Sequence, residues 1–192
     1  MTTLNFTNYS IQKFSDILQN VVVFKNIVPA ESCNQIATYS RTLFEEGKMS
    51  KNMAGDNRWR YRILDNKFKP IDDIITSFNE IFNQHNGTPD TKIGNIITYN
   101  IAPSYIQRHK DDYGPFHLRI NLITEKPEFS GNPIIDGLLY KILPGDGWAF
   151  SPSHTAHGTT ILSTDSRVNL SMGWNFDNLE DYKNAFISIS SQ

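Results

Sequence analysis

The chain has 192 residues, a formal net charge of −2 and a single cysteine, Cys33. That length suits one domain with a sizeable core. The near-zero charge supplies no field for nucleic acid or an anionic membrane, and one cysteine excludes an intrachain disulfide. No apolar run approaches the roughly 18 residues of a membrane span. Met1-Thr2-Thr3-Leu4-Asn5-Phe6 lacks the basic and apolar regions of a signal peptide. A soluble protein of a reducing cytoplasm is expected.

Residues 1–20 are polar with scattered apolar side chains, and suggest a short helix around Ile11–Leu18. Val21-Val22-Val23-Phe24 reads as a buried strand. Pro29 suits a first helical turn, Glu31 favours its dipole, and Cys33, Ile36, Ala37, Leu43 and Phe44 follow at helical spacing until Gly47. Cys33 lies on that apolar face and is expected to be a core residue. Asn57–Leu64 alternates, with Arg58, Arg60 and Arg62 on one face and Trp59, Tyr61 and Ile63 on the other. The arginine face is read as solvated, and becomes a candidate substrate contact if it meets the mouth of a site. Ile71, Ile74, Ile75, Phe78, Ile81 and Phe82 mark an amphipathic helix between Pro70 and Gly87, with His85 at its end as a structural cap.

From Lys92 the texture changes to short alternating runs: Ile93–Ile101, Tyr105–His109, Phe116–Thr124, Ile135–Leu143, Gly147–Phe150, His157–Leu162 and Val168–Trp174. Such spacing indicates a sandwich or barrel, and helices followed by strands indicate an α+β domain with helices packed on one side of a β core. The expected organisation is one domain: an N-terminal α/β support region over residues 1–92, a β core over 93–176 and a C-terminal tail over 177–192. Pro144-Gly145-Asp146-Gly147 is a turn by its chemistry. Two strands are unusual. His117, Arg119 and Asn121 share one face, as do Arg167, Asn169 and Ser171, with apolar residues opposite in both cases. If the apolar faces meet the helices, the polar faces line a lumen suited to a polar ligand.

His109 and Asp111 lie two apart on an extended segment and point the same way, so they can share one metal; Asp112 faces the other side. A third ligand can come from His157 or His154. Two imidazoles and a carboxylate on one face, with the other positions open, suit Fe(II). Three open positions admit a bidentate co-substrate and O₂. A dicarboxylate co-substrate needs a buried, always-charged partner such as Arg167, ten positions after His157, with Arg119 as a possible holder of a second carboxylate. His-x-Asp alone is a weak signal; the ordered combination with a second His and an Arg is more specific.

Thr98-Tyr99-Asn100, His109-Lys110-Asp111, Pro144–Phe150, His157-Gly158 and Arg167-Val168-Asn169-Leu170-Ser171 together resemble the 2-oxoglutarate/Fe(II)-dependent oxygenases, over roughly residues 93–176. The small prolyl-hydroxylase and amino-acid β-hydroxylase branches are the nearest in pattern. The resemblance implies a double-stranded β-helix (jelly-roll, cupin-like) core. It implies His109, Asp111 and His157 as metal ligands, His157 being preferred over His154 by its offset to Arg167. Arg167 would clamp the co-substrate's far carboxylate, with Tyr99 hydrogen-bonding the co-substrate and Asn169 as a second clamp where many members carry Arg-x-Ser. The implied reaction is hydroxylation of an unactivated C–H bond of a free or peptidyl amino acid. Fe(II), 2-oxoglutarate and O₂ take part, ascorbate can support turnover, and succinate and CO₂ are co-products. The competing readings are a cupin-like anion-binding module and a non-oxidative metalloenzyme. A nucleobase dealkylase has only Arg58, Arg60 and Arg62 in its favour and the balanced charge against it.

Overall fold

In the computed structural model, which describes residues 2–52, 57–64 and 68–190, the elements follow one another in this order. The first half holds β1 (Tyr9–Gln12), β2 (Val21–Phe24), α1 (Ala30–Glu45), β3 (Ser50–Lys51), β4 (Arg58–Ile63), α2 (Lys69–Asn83) and β5 (Thr88–Pro89). The second holds β6 (Asn95–Ile101), β7 (His117–Glu125), β8 (Pro133–Ile135), β9 (Leu138–Leu139), β10 (Gly147–Phe150), β11 (His157–Thr159), β12 (Ser166–Asn175) and α3 (Leu179–Ile189). A large antiparallel sheet runs β1-β2-β10-β7-β12-β6-β4-β3, with β5 paired to the end of β12. A smaller sheet of β11, β8 and β9 stands apart from it. The result is an α+β double-stranded β-helix with helices against one face of the large sheet.

The alternation along β7 and β12 decides which face goes where. Leu118, Ile120 and Leu122, with Val168, Leu170, Met172 and Trp174, join Val22 and Phe24 in the main core. The apolar stripes of α1 and α2, from Cys33 to Leu43 and from Ile71 to Phe82, cover that face. Each fully buried aliphatic or aromatic side chain there contributes roughly 1.5–3 kcal/mol. Trp174 is the centre of the contact: its ring lies 4.7 Å from Phe82 and its Nε1 donates to Asn79 Oδ1 at 2.9 Å. The opposite faces of the same two strands look into the space before the small sheet. Across that space Val21, Val23, Ile123, Ile135, Ile142, Trp148 and Phe150 form a second apolar cluster.

Several expectations change. Ile11–Leu18 is not a helix. Its first part is the edge strand β1, paired Ser10 to Val23, and its end is a 3-10 turn over Ile17–Gln19 whose Leu18 N–H donates to Asp16. The segment is too polar to bury a helical stripe, and β2 offers it a free ladder edge. The C-terminal tail expected over 177–192 holds a helix, α3, over Leu179–Ile189: Asn178 caps it by accepting from the Asp181 N–H, and Tyr182, Phe186 and Ile189 are buried; residues 191 and 192 lie outside the described residues. The N-terminal region does more than support the core, since β2 and β4 are strands of the large sheet. Tyr105–His109 holds no regular strand, only the isolated bridge His109–His157, with a second, Ser104–Leu162, just before it. His85 ties α2 to α3, its Nε2 lying 2.6 Å from Ser188 Oγ. Cys33 is buried as expected, and burial pushes its thiol up to about 11. Among the described residues no helix is long and apolar enough to cross a membrane.

Candidate metal centre

The isolated bridge between His109 and His157 builds the centre. Each residue's N–H donates to the other's carbonyl, at 3.0 and 2.8 Å, so both imidazoles leave the same face of a minimal antiparallel pair. The rings stand 4.3 Å apart. Asp111, two residues on, is anchored by its N–H to the Pro152 carbonyl at 3.0 Å. Its two carboxylate oxygens each lie 3.5 Å from one imidazole Nε2. One ligand atom from each of His109, Asp111 and His157 falls within 4.8 Å of the others, the only such group among the described residues.

The backbone also fixes the tautomers. His109 Nδ1 lies 2.7 Å from the Gln107 carbonyl and His157 Nδ1 lies 3.1 Å from the Thr155 carbonyl. A carbonyl only accepts, so each Nδ1 carries a hydrogen; a protonated ring also donates from Nε2 to Asp111, and loss of that proton leaves a bare Nε2 lone pair on the same side for a metal. Two such nitrogens and one carboxylate fit Fe(II) and its borderline neighbours. Burial works against the Asp111 charge, yet hydrogen bonds from His109 and His157 hold its carboxyl well below the usual carboxylate range. The hydrogen bond to Asp111 raises His109, against the opposing effect of burial. Gly158 permits the close approach of the two ligand-bearing segments, because a Cβ there would stand 2.7 Å from the Ile106 carbonyl oxygen. Phe150 meets the His157 ring edge to face at 5.0 Å, and Asp136, in the β8–β9 turn, exchanges hydrogen bonds with the Ala156 backbone.

The triad opens into a cavity of about 360 Å³ lined by the polar faces of β7 and β12, a size suited to a small-molecule ligand. Arg167 lines it, is 3 % exposed, and has no carboxylate partner among the described residues; its Nε is buried without a hydrogen bond. Burial first, and then the charge of Arg58, push its pKa down to about 10. Asn169 also faces the cavity, donating from Nδ2 to Asn121 Oδ1 at 3.0 Å and leaving Oδ1 buried without a partner.

Three sequence-level assignments are corrected or narrowed by position. Tyr99 does not line the cavity. The alternation of β6 turns it to the helix side, where its ring packs 5.1 Å from Phe44, and Thr98 takes the lumen side. Arg119 does line the cavity but is internally satisfied, by Asp90 at 3.3 Å, Ser171 Oγ at 2.8 Å and the Gly94 carbonyl at 3.2 Å. It therefore offers no spare charge for a second carboxylate. His154 stands outside the triad, with its Nε2 2.9 Å from the Pro115 carbonyl. The sequence reading missed Phe150 as the support of His157 and Asp90 as the partner of Arg119. Gly-Trp-Ala-Phe, with its alternation, could have announced the first; nothing local announces the second.

No protein-family model and no curated protein sequence matches the chain. Solved structures do match in fold. A Pseudomonas putida prolyl-4-hydroxylase superposes with a TM-score of 0.66 at 15% identity, covering 82% of this chain and 92% of its own. A viral collagen prolyl hydroxylase from Paramecium bursaria Chlorella virus 1, in a 2-oxoglutarate complex, gives 0.61 at 12% identity over 81% and 96%. The non-haem α-ketoglutarate-dependent epimerase SnoN, of nogalamycin biosynthesis, gives 0.66 at 12% identity over 81% and 76%. Sheet order, helix placement and these superpositions agree: the chain has the double-stranded β-helix fold of the 2-oxoglutarate/Fe(II)-dependent oxygenases.

Proposed function

We propose that this protein is a 2-oxoglutarate- and Fe(II)-dependent dioxygenase that hydroxylates an unactivated C–H bond of an amino acid, free or within a peptide. The observation that carries the reading is Arg167. A fully desolvated guanidinium without a carboxylate is costly to maintain, and it lines the same cavity as a facial His-Asp-His group. A dicarboxylate bridging the two would satisfy both. Bound Fe(II), 2-oxoglutarate and O₂ would supply the oxidant, with succinate and CO₂ as co-products and ascorbate as a possible support.

In this reading His109, Asp111 and His157 hold the metal through Nε2, a carboxylate oxygen and Nε2. Arg167 fixes the far carboxylate of the co-substrate by a forked, charge-assisted contact, and the unpaired Asn169 Oδ1 and Ser171 complete the polar wall beside it. Ile135, Trp148 and Phe150 form the apolar wall that keeps water from the reacting region. The lone buried thiol fits a cytoplasmic setting.

Succinate formation from 2-oxoglutarate under air with Fe(II) and ascorbate tests this. Wild type should produce succinate, and His157→Ala, Asp111→Ala and Arg167→Ala should not. His154→Ala should keep the activity, because its imidazole meets only a carbonyl outside the triad. Activity that survives loss of His157 or Asp111 removes the site assignment. No succinate, together with no calorimetric binding of 2-oxoglutarate to the Mn(II)-loaded protein, leaves the anion-binding module as the reading.

A further inference from the structure

The chain is net negative, yet the cavity beside the triad has a basic outer wall. Arg58 and Arg60 come from β4, and Lys92 from the loop before β6, and all three line it. Strand register explains the placement. Arg58 lies opposite Asn100 and Arg60 opposite Thr98 on β6; those two lie opposite Arg167 and Asn169 on β12. Arg58 and Arg60 therefore share the lumen face with the Arg167 row, two strands away, about 10 Å at sheet spacing. The charge of Arg58 is felt at both Arg167 and His109. Trp59, Tyr61 and Ile63 pack on the core, so the alternation of β4 commits its arginines to the cavity side.

The balance of charge gives these residues a task. On the reading above, a divalent metal, Asp111, a doubly charged co-substrate and Arg167 together come to zero. Arg119 is cancelled by Asp90. The outer wall then sets Arg60 and Lys92, beside Arg58, against the single carboxylate of Asp112. No carboxylate among the described residues pairs with the side chain of Arg60 or Lys92. Arg62 differs from its two neighbours on β4: it donates to the Thr91 carbonyl at 2.5 Å and holds the loop that carries Lys92.

We infer that the substrate carries an anionic group, a carboxylate or a phosphate, which docks on Arg60 and Lys92, with Arg58 beside them on the same strand face. Two guanidinium forks on alternate positions of one strand present paired donors along its direction, a geometry that suits an oxyanion with more than one oxygen. This deepens the functional reading and rests on it for the order of events, while the arginine wall itself can be tested apart from it.

The test uses the full chain loaded with Mn(II). Calorimetric titration with 2-oxoglutarate reports on the metal and clamp. Separate titrations with inorganic phosphate and with acetate, before and after 2-oxoglutarate is added, report on the wall. Saturable binding of one of these anions is expected. Loss of charge-assisted contacts should weaken it roughly threefold in Arg60→Gln and roughly tenfold or more in Arg58→Gln/Arg60→Gln. It should persist in Arg167→Ala and in Lys51→Gln, which removes one charge from the adjoining β3, where Lys51 lies over the Trp59 ring. The anion bound more tightly names the class, phosphate or carboxylate. Absence of binding overturns the inference. So does binding that survives the double variant, as a metal-held anion would, binding lost in Arg167→Ala alone, or equal weakening in Lys51→Gln. Failure of 2-oxoglutarate to bind would instead remove the oxygenase reading and leave the phosphate result to judge the wall.

Discussion

Arg167 sets stability against function in a way that one substitution can separate. Its guanidinium is held at a pKa of about 10 rather than 12.5, chiefly because it is buried. At roughly 1.4 kcal/mol per unit, the desolvated guanidinium bears about 3 kcal/mol of unrelieved charge. Arg167→Met keeps most of the volume and removes the charge. Allowing for imperfect packing, the unliganded variant should be about 1–3 kcal/mol more stable than wild type, and its melting temperature a few degrees higher. Added 2-oxoglutarate with Mn(II) should close that gap or reverse it. A ligand at a hundred times its dissociation constant stabilises the protein that binds it by about 2.7 kcal/mol, and the variant has lost the group that binds. Thermal melts of both proteins, with Mn(II) alone and with Mn(II) plus 2-oxoglutarate, read all four states. A variant that melts lower than wild type and still responds to 2-oxoglutarate would refute the reasoning, since Arg167 would then be a structural ion rather than a waiting clamp.

Three further outcomes follow from the geometry. Gly158→Ala should separate the His109 and His157 segments, because its Cβ would enter the space of the Ile106 carbonyl; Mn(II) affinity measured by calorimetry should fall by an order of magnitude or more, and unchanged affinity would show that the bridge can relax. Cys33 is held up near 11 by burial, so a thiol reagent at pH 8 should label the native protein far more slowly than the urea-unfolded chain; equal rates would contradict its place on the buried face of α1. Burial lowers the Lys126 pKa to about 8, with the charge of Arg167 adding to it, so the fold prefers its neutral form. The unfolded chain then holds more protons between pH 8 and 10.5, and stability should rise across that window by up to about 1.4 kcal/mol per pH unit. Urea melts at pH 7.5 and 9.5 should show the gain in wild type and not in Lys126→Met.

Strands that bury one face were the most legible part of the chain. From His117 to Leu122 in β7 and from Arg167 to Met172 in β12 apolar and polar residues alternate, so the lumen and the core could be told apart from sequence, and Arg167 and Asn169 fall where that parity puts them. In β6 it is not. Ile96, Thr98 and Asn100 face one way and Ile97, Tyr99 and Ile101 the other, and both sets contain apolar residues. Parity alone could not choose, and Tyr99 was placed by resemblance. Arg119 shows a different limit. Its face was right, but Asp90, which neutralises it, is 29 residues away in the chain, and no local pattern links them. The helix α3 was readable: Asn178 followed by Leu179, Tyr182, Ala185, Phe186 and Ile189 is a cap and a helical stripe. By contrast, β1 owes its strand to the open edge of β2 rather than to its own residues.

The clamp and the metal ligands stand on supports of very different stiffness. Arg167 belongs to a ten-residue strand paired along both edges, by β6 and β7, with its reverse face packed beneath the helices. His109 and Asp111 belong to a segment held by isolated bridges at Ser104 and His109, by hydrogen bonds between Ile106 and Thr159, and by one backbone bond to Pro152. Local opening should therefore cost much less around residues 105–112 than along β12. Amide hydrogen exchange in the metal-free protein should be fast at His109 and Asp111 and slow at Val168 and Leu170. One wall of the pocket is therefore expected to hold its shape under conditions in which the ligand-bearing arm opposite has already begun to open.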